Sequence, residues 1–124
     1  MRINRATTIF IGTMVVIALA GCGSGINNFT VTDAAKTFIQ AEIDGNYKVI
    51  NEINGSNPLE FTPQYLLSLA SNNGYSKHKI GEFKFEQVDD ITVNVFGPKD
   101  IGDESLVFIK QNGQYFFNGI DGIK

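Results

Sequence analysis

The sequence contains few side chains that could carry catalysis or hold a metal ion. His78 is the only histidine, and it stands between Lys77 and Lys79, where a predicted helix gives way to a strand. A nucleophilic mechanism needs a nucleophile and an orienting acid beside such a base, and a metal site needs several clustered ligands. The pattern around His78 supplies neither, so we predict an exposed turn residue.

Acidic residues cluster between two predicted strands, where carboxylate oxygens could bind calcium outside a cell. They are Asp100, Asp103 and Glu104. Their spacing does not match an EF-hand loop, and Lys99 offsets part of their charge. The pattern therefore favours a solvated acidic loop over a metal site.

Four other residues have the side-chain types that serve as acids and bases in enclosed active sites: Asp33, Asp44, Tyr47 and Tyr65. Asp33 is explained as an acid at a helix start, and Asp44 as a residue at a helix end. The two tyrosines are explained by packing at the edge of the core. We therefore predict no catalytic residue, no cofactor and no metal ligand.

Cys22 is the only cysteine, and it ends an N-terminus with three zones. Residues 1–5 contain two arginines, residues 6–20 are uncharged and mostly apolar, and small residues precede the cysteine. This order is typical of a secretory signal peptide. A membrane-spanning helix would need about 20 consecutive apolar residues. A buried core helix is disfavoured because the run is not amphipathic and is flanked by Arg2 and Arg5.

The four residues Leu19-Ala20-Gly21-Cys22 closely resemble the lipobox of bacterial lipoproteins. The resemblance implies that the Cys22 thiol carries a diacylglyceryl group and that a peptidase cuts between Gly21 and Cys22. It also implies a fatty acyl group, such as palmitate, on the new amino terminus. The protein would then be held on the outer face of the cell membrane, or at the outer membrane in a host with two membranes. Two or more acyl chains suffice for a stable anchor.

The composition after residue 21 restricts the partners. This part of the chain has eight lysines, no arginine and 13 acidic residues, a formal charge of −5. Nucleic-acid binding depends on neutralising phosphates, so we predict no nucleic-acid partner. The length fits one domain. We predict a signal peptide at 1–21, a lipidated cysteine and tether at 22–28, and a single domain at 29–124.

Helix signals occupy the first half of this domain. The first predicted helix begins after Thr30, which can cap it, and ends at Gly45. A second is predicted over residues 46–53. A third follows Thr62-Pro63 and ends at 72–74, where Asn-Asn-Gly stops it.

Strand signals occupy the second half. Apolar residues alternate at 79–88, 91–96 and 104–110, and an aromatic run begins at residue 115. Asn112-Gly113 favours a type I′ hairpin. Helices followed by an antiparallel meander predict an α+β domain, with the helices packed on one face of a curved sheet of about four strands.

This order resembles the nuclear transport factor 2-like, or cystatin-like, α+β cone. Residues 32–47 resemble its first helix and following turn, and residues 106–117 resemble its final hairpin, with Phe116 where that family often has tryptophan. Members of this family include enzymes, ligand binders and scaffolds, so the fold does not decide the function. Because no catalytic set is evident, we predict a non-enzymatic binding or interaction module whose partner is a small apolar ligand or an envelope protein. An isomerase- or dehydratase-like enzyme and a structural envelope protein are the alternatives.

Overall fold

The structure, a computed structural model of the chain, describes residues 26–55 and 60–123. The predicted signal peptide, its cleavage site and Cys22 lie outside these residues. Three α-helices are followed by two short 3₁₀ helices and a four-stranded antiparallel sheet. The predicted α+β class, with helices preceding the sheet, is confirmed.

The first helix, α1, spans Val31–Asp44 and has the predicted caps. Thr30 Oγ1 accepts a hydrogen bond of 3.1 Å from the backbone N–H of Asp33. Such an N-cap contributes about 1 kcal/mol. Gly45 ends the helix with a φ of +65°, a left-handed conformation that glycine adopts without strain.

Two further helices also start at capping residues, of which the sequence predicts Thr62. Helix α2 spans Tyr47–Ile53, and Asn46 Oδ1 accepts a hydrogen bond of 3.2 Å from the third residue of the helix. Helix α3 spans Pro63–Asn72, with Thr62 as its cap and proline at its first position. The caps satisfy backbone N–H groups that have no partner inside the helix.

The sheet is a meander in which each strand pairs with the next one along the chain. Its strands are β1 (Lys84–Gln87), β2 (Thr92–Phe96), β3 (Asp103–Gln111) and β4 (Gln114–Asp121). Asn112 and Gly113 both have positive φ, 53° and 78°, as a type I′ turn requires. The predicted hairpin is therefore confirmed.

The first strand begins later than predicted. The sequence predicts a strand from residue 79, but Ile80–Glu82 is a 3₁₀ helix and β1 starts at Lys84. Glu82 folds back and accepts a hydrogen bond of 2.8 Å from the backbone N–H of Lys79. This local turn competes with the extended conformation and leaves only Phe85, not Phe83, within the strand.

The core lies between α1 and the sheet and is built around Phe117. Its ring stacks on Phe38 of α1 with 4.3 Å between centroids. Phe61 and Phe108 meet the same ring edge-on, at 5.6 Å and 6.4 Å. Stacked and edge-to-face contacts of this kind add to the large apolar area that each ring buries.

Replacing Phe117 with alanine should therefore destabilise the domain strongly. The substitution leaves a cavity in contact with three other rings, and such changes cost about 3–5 kcal/mol. Urea unfolding measures the loss. Phe29→Ala is the matched control, because Phe29 is 64% exposed and should change stability by less than about 0.5 kcal/mol. Equal losses for the two variants would contradict this description of the core.

Candidate functional site

Three titratable side chains meet inside the domain, at the end of the core beside the β2–β3 loop. Glu42 comes from α1, Glu104 from β3, and Tyr75 from the 3₁₀ helix Tyr75–Lys77. The Tyr75 hydroxyl donates a hydrogen bond of 3.2 Å to Glu104 Oε2. Glu42 is only 7% exposed, and its Oε1 has no hydrogen-bond partner among the residues that the structure describes. We call these three residues the buried acid cluster.

The local sequence explains why both acids point inward. Glu42 lies four residues after Phe38 on α1, so it continues the apolar face of that helix. Glu104 lies two residues before Leu106 on β3, so strand alternation places it on the core face. The position of each acid on an apolar stripe was thus the sequence signal for its burial. That signal alone does not identify either acid as a site residue.

Burial determines the protonation of this cluster. Loss of solvent raises the pKa of Glu42 well above its ordinary value, and the nearby Glu104 carboxyl raises it further. Burial also raises the pKa of Glu104, although the hydrogen bond from Tyr75 opposes the shift. Burial, followed by both carboxyls, raises the pKa of Tyr75. A carboxyl held neutral in this way can act as a proton donor wherever a substrate can reach it.

A second cluster forms around the only histidine. His78 Nδ1 lies 2.9 Å from Glu82 Oε1, and Nε2 lies 2.9 Å from Asp100 Oδ2. His78 does lie in the predicted turn, but its side chain is only 15% exposed. Because a carboxylate occupies each ring nitrogen, the imidazole ties the turn after α3 to the β2–β3 loop and offers no nitrogen to a substrate or metal.

These contacts favour the charged form of all three groups. The hydrogen bonds that His78 donates to Asp100 and, second, to Glu82 raise the pKa of His78. The bond to His78 is the main cause that lowers the pKa of both carboxyls. The cluster therefore favours an imidazolium between two carboxylates.

The three acids of the predicted acidic loop separate in the structure. Asp100 pairs with His78, Asp103 is exposed, and Glu104 points into the core. The prediction of a solvated side chain is wrong for Glu104, since β3 directs it inward. Within residues 26–55 and 60–123, no group of three or more acidic, histidine or cysteine side chains could hold a metal ion.

The other four candidates lie away from the core. Asp33 is in the first turn of α1, and Gln40 donates to both carboxylate oxygens of Asp44 at 3.1 Å. Tyr47 and Tyr65 are exposed by nearly half. The structure does not bring these four residues together in one site.

A groove of about 420 Å³ runs along the outer side of α1. Thr37 Oγ1 holds the preceding chain against this helix by donating a hydrogen bond of 2.7 Å to the carbonyl of Asn27. None of the buried acid cluster lines the groove. The surface of the groove is mainly apolar, although six of its ten lining residues are polar or charged. The apolar ones are Ile26, Ala41, Val49 and Ile80, and the charged ones are Lys36 and Asp44.

Comparisons of the chain with protein-family models, curated proteins and solved structures find no match. Both resemblances, to the lipobox and to the cone, therefore stay predictions. Over the part of the chain that the structure describes, no helix is long and apolar enough to cross a membrane.

The buried acid cluster predicts a stability that falls as pH rises. The folded domain retains a proton on Glu42 that the unfolded chain releases above its ordinary pKa of 4.5. One such group lowers the free energy of unfolding by at most about 1.4 kcal/mol per pH unit until its folded pKa is reached. Glu42→Gln removes this term, so its stability relative to the natural chain should increase as pH rises above about 5.

Urea titrations at several pH values measure this difference. Glu86→Gln is the matched control, because it removes the same charge from an exposed position on β1. It should leave the pH dependence of the natural chain unchanged. Parallel pH profiles for the natural chain and Glu42→Gln would show that Glu42 ionises normally in the folded domain.

The histidine cluster predicts a raised imidazole pKa that depends on Asp100. The stabilisation of the folded domain by this cluster is complete below the ordinary histidine pKa of 6.5. It is lost as pH rises through the raised pKa of His78. On the acid side it is lost as pH falls through the lowered carboxyl values. Asp100→Asn should move the single histidine resonance in an NMR titration back toward 6.5, whereas Asp90→Asn, in an exposed turn, should not. An unchanged titration in Asp100→Asn would refute the pairing.

Proposed function

We propose that this protein is a membrane-tethered extracytoplasmic lipoprotein whose domain is a non-enzymatic ligand-binding or protein-interaction module. The anchor is supported by the three-zone N-terminus and by Leu19-Ala20-Gly21-Cys22. Lipidation would use the only thiol of the chain, so no reactive cysteine would remain outside the cell. The location is the outer face of the cell membrane, or the outer membrane where a host has two.

The groove along α1 is the observation that carries the binding role. Its volume of about 420 Å³ falls within the range of small-molecule sites, roughly 300–1,000 Å³, and such sites are mostly apolar with few polar groups. The mainly apolar surface of the groove favours an apolar ligand. The groove lies on the outer side of α1, because the phenylalanine rings around Phe117 occupy the space between α1 and the sheet.

An enzyme is the second candidate, and the buried acid cluster is the observation in its favour. A carboxyl with a strongly raised pKa beside a second carboxyl and a phenol is a set that proton-transfer enzymes use. The cluster does not line the groove, however, so a substrate bound there would not touch Glu42. The binding role therefore has the better support.

The proposal predicts two masses in native mass spectrometry of protein extracted from its own membrane in mild detergent. The intact mass should lack residues 1–21 and carry lipid at Cys22. A bound small apolar molecule should add a second, dissociable mass. Val49→Asp should abolish that second mass, since a carboxylate in the groove repels an apolar ligand.

Leu67→Asp is the matched control, because Leu67 is a half-buried apolar residue on α3 that does not line the groove. Leu67→Asp should retain the bound molecule, although it should lose about as much stability as Val49→Asp. A ligand that survives Val49→Asp but is lost in Glu42→Gln would favour the enzyme instead. Absence of lipid at Cys22 would refute the anchor.

A further inference from the structure

The groove along α1 offers polar and apolar surface side by side. Lys36, Gln40 and Asp44 follow each other at four-residue spacing, so they form one polar ridge along the helix. Apolar surface comes from other parts of the chain, with Ile26 in the segment before α1 and Val49 on α2. A molecule bound in the groove therefore meets both kinds of surface at once.

The ammonium of Lys36 is the unbalanced charge of this ridge. Its Nζ lies 5.9 Å from the centre of the Phe85 ring, which is a cation–π distance. Over the described residues it has no carboxylate within 4.0 Å, since every ion pair found there involves His78. A ring face attracts the charge but supplies no oxygen acceptor to the three N–H groups of an ammonium. These donors are therefore available to an anion.

The carboxylate of Asp44, at the other end of the ridge, already has a partner. Gln40 Nε2 donates to its Oδ1 and to its Oδ2, at 3.1 Å each. Lys36 and Asp44 are eight positions apart, which is about 12 Å along a helix. The two charges are exposed and lie farther apart than the Debye length of about 8 Å, so salt screens them from each other. An anion can therefore bind at Lys36 without strong repulsion from Asp44.

We propose that the groove binds a single-chain carboxylate of the fatty-acid type, with its head group at Lys36 and its chain along the apolar surface toward Val49. One ammonium balances one negative charge, which a carboxylate has and a phosphate monoester exceeds. The volume of about 420 Å³ lies in the lower part of the range for small-molecule sites, which suits one chain rather than two. This inference rests on the binding role proposed for the groove and gives its mainly apolar ligand a charged end.

Photo-crosslinking of the full chain, as isolated from the cells that express it, tests this ligand class. The probes are dodecanoic acid, dodecanol and dodecylamine, each with a diazirine near the end of its chain. They are presented in phosphatidylcholine vesicles at pH 8, and peptide mass spectrometry locates the crosslinks. Each probe enters the vesicles equally whichever variant is present, so a comparison of variants with one probe isolates the contribution of the protein.

The acid should label the groove residues more than the alcohol does, and the amine should label them least. Lys36→Met keeps a side chain of similar length without the charge. It should lower labelling by the acid about two- to fivefold, as expected for one exposed ion pair, and leave labelling by the alcohol unchanged. Lys48→Met is the matched control, because it removes the same charge from an exposed position on α2 that does not line the groove. It should change neither.

The other outcomes separate failure of the ligand class from failure of the binding role. Equal labelling of the groove by acid and alcohol, unaffected by Lys36→Met, would refute the carboxylate and leave an apolar site standing. Stronger labelling by the amine would overturn the proposal in favour of recognition by Asp44. Equal losses in Lys36→Met and Lys48→Met would refute the role of Lys36. Labels spread over the chain without preference for the groove, for all three probes, would refute the binding role as well.

Discussion

The stack of Phe38 on Phe117 is the contact on which the rest of the structure depends. It joins the first helix to the last strand, and the edge-on contacts of Phe61 and Phe108 with the same ring bring the loop before α3 and the strand β3 into one core. Once this contact fixes the rotation of α1, the two sides of the helix have different roles. The side that continues from Phe38 carries Glu42 into the interior, and the outer side forms the apolar groove.

The buried acid cluster departs from the pattern of an apolar core, because an uncompensated carboxyl is costly to bury. The domain reduces this cost by keeping Glu42 protonated and by giving Glu104 a hydrogen bond from Tyr75. Such departures from local rules are expected at functional sites. Here the cluster and the groove lie on opposite sides of α1, which separates the group best suited to chemistry from the space best suited to a ligand. That separation favours binding over catalysis.

The two ends of the sheet also differ in character. The hairpin end has exposed apolar side chains and the buried Asn28, which is hydrogen-bonded to Tyr115. The opposite end has the ionic cluster of His78, Glu82 and Asp100, which holds the β2–β3 loop against the turn after α3.

The sequence by itself determined the features that depend on neighbouring residues. Thr30, Gly45 and Thr62 mark helix ends because caps act within one turn, and Asn112-Gly113 marks the hairpin because both residues tolerate positive φ. Only the tertiary structure decided which acids are buried and which partners His78 finds. Asp100 lies 22 residues from His78, and Tyr75 lies 29 residues from Glu104. Contacts over such separations follow from strand register and from the packing of α1, which no local pattern of residues specifies.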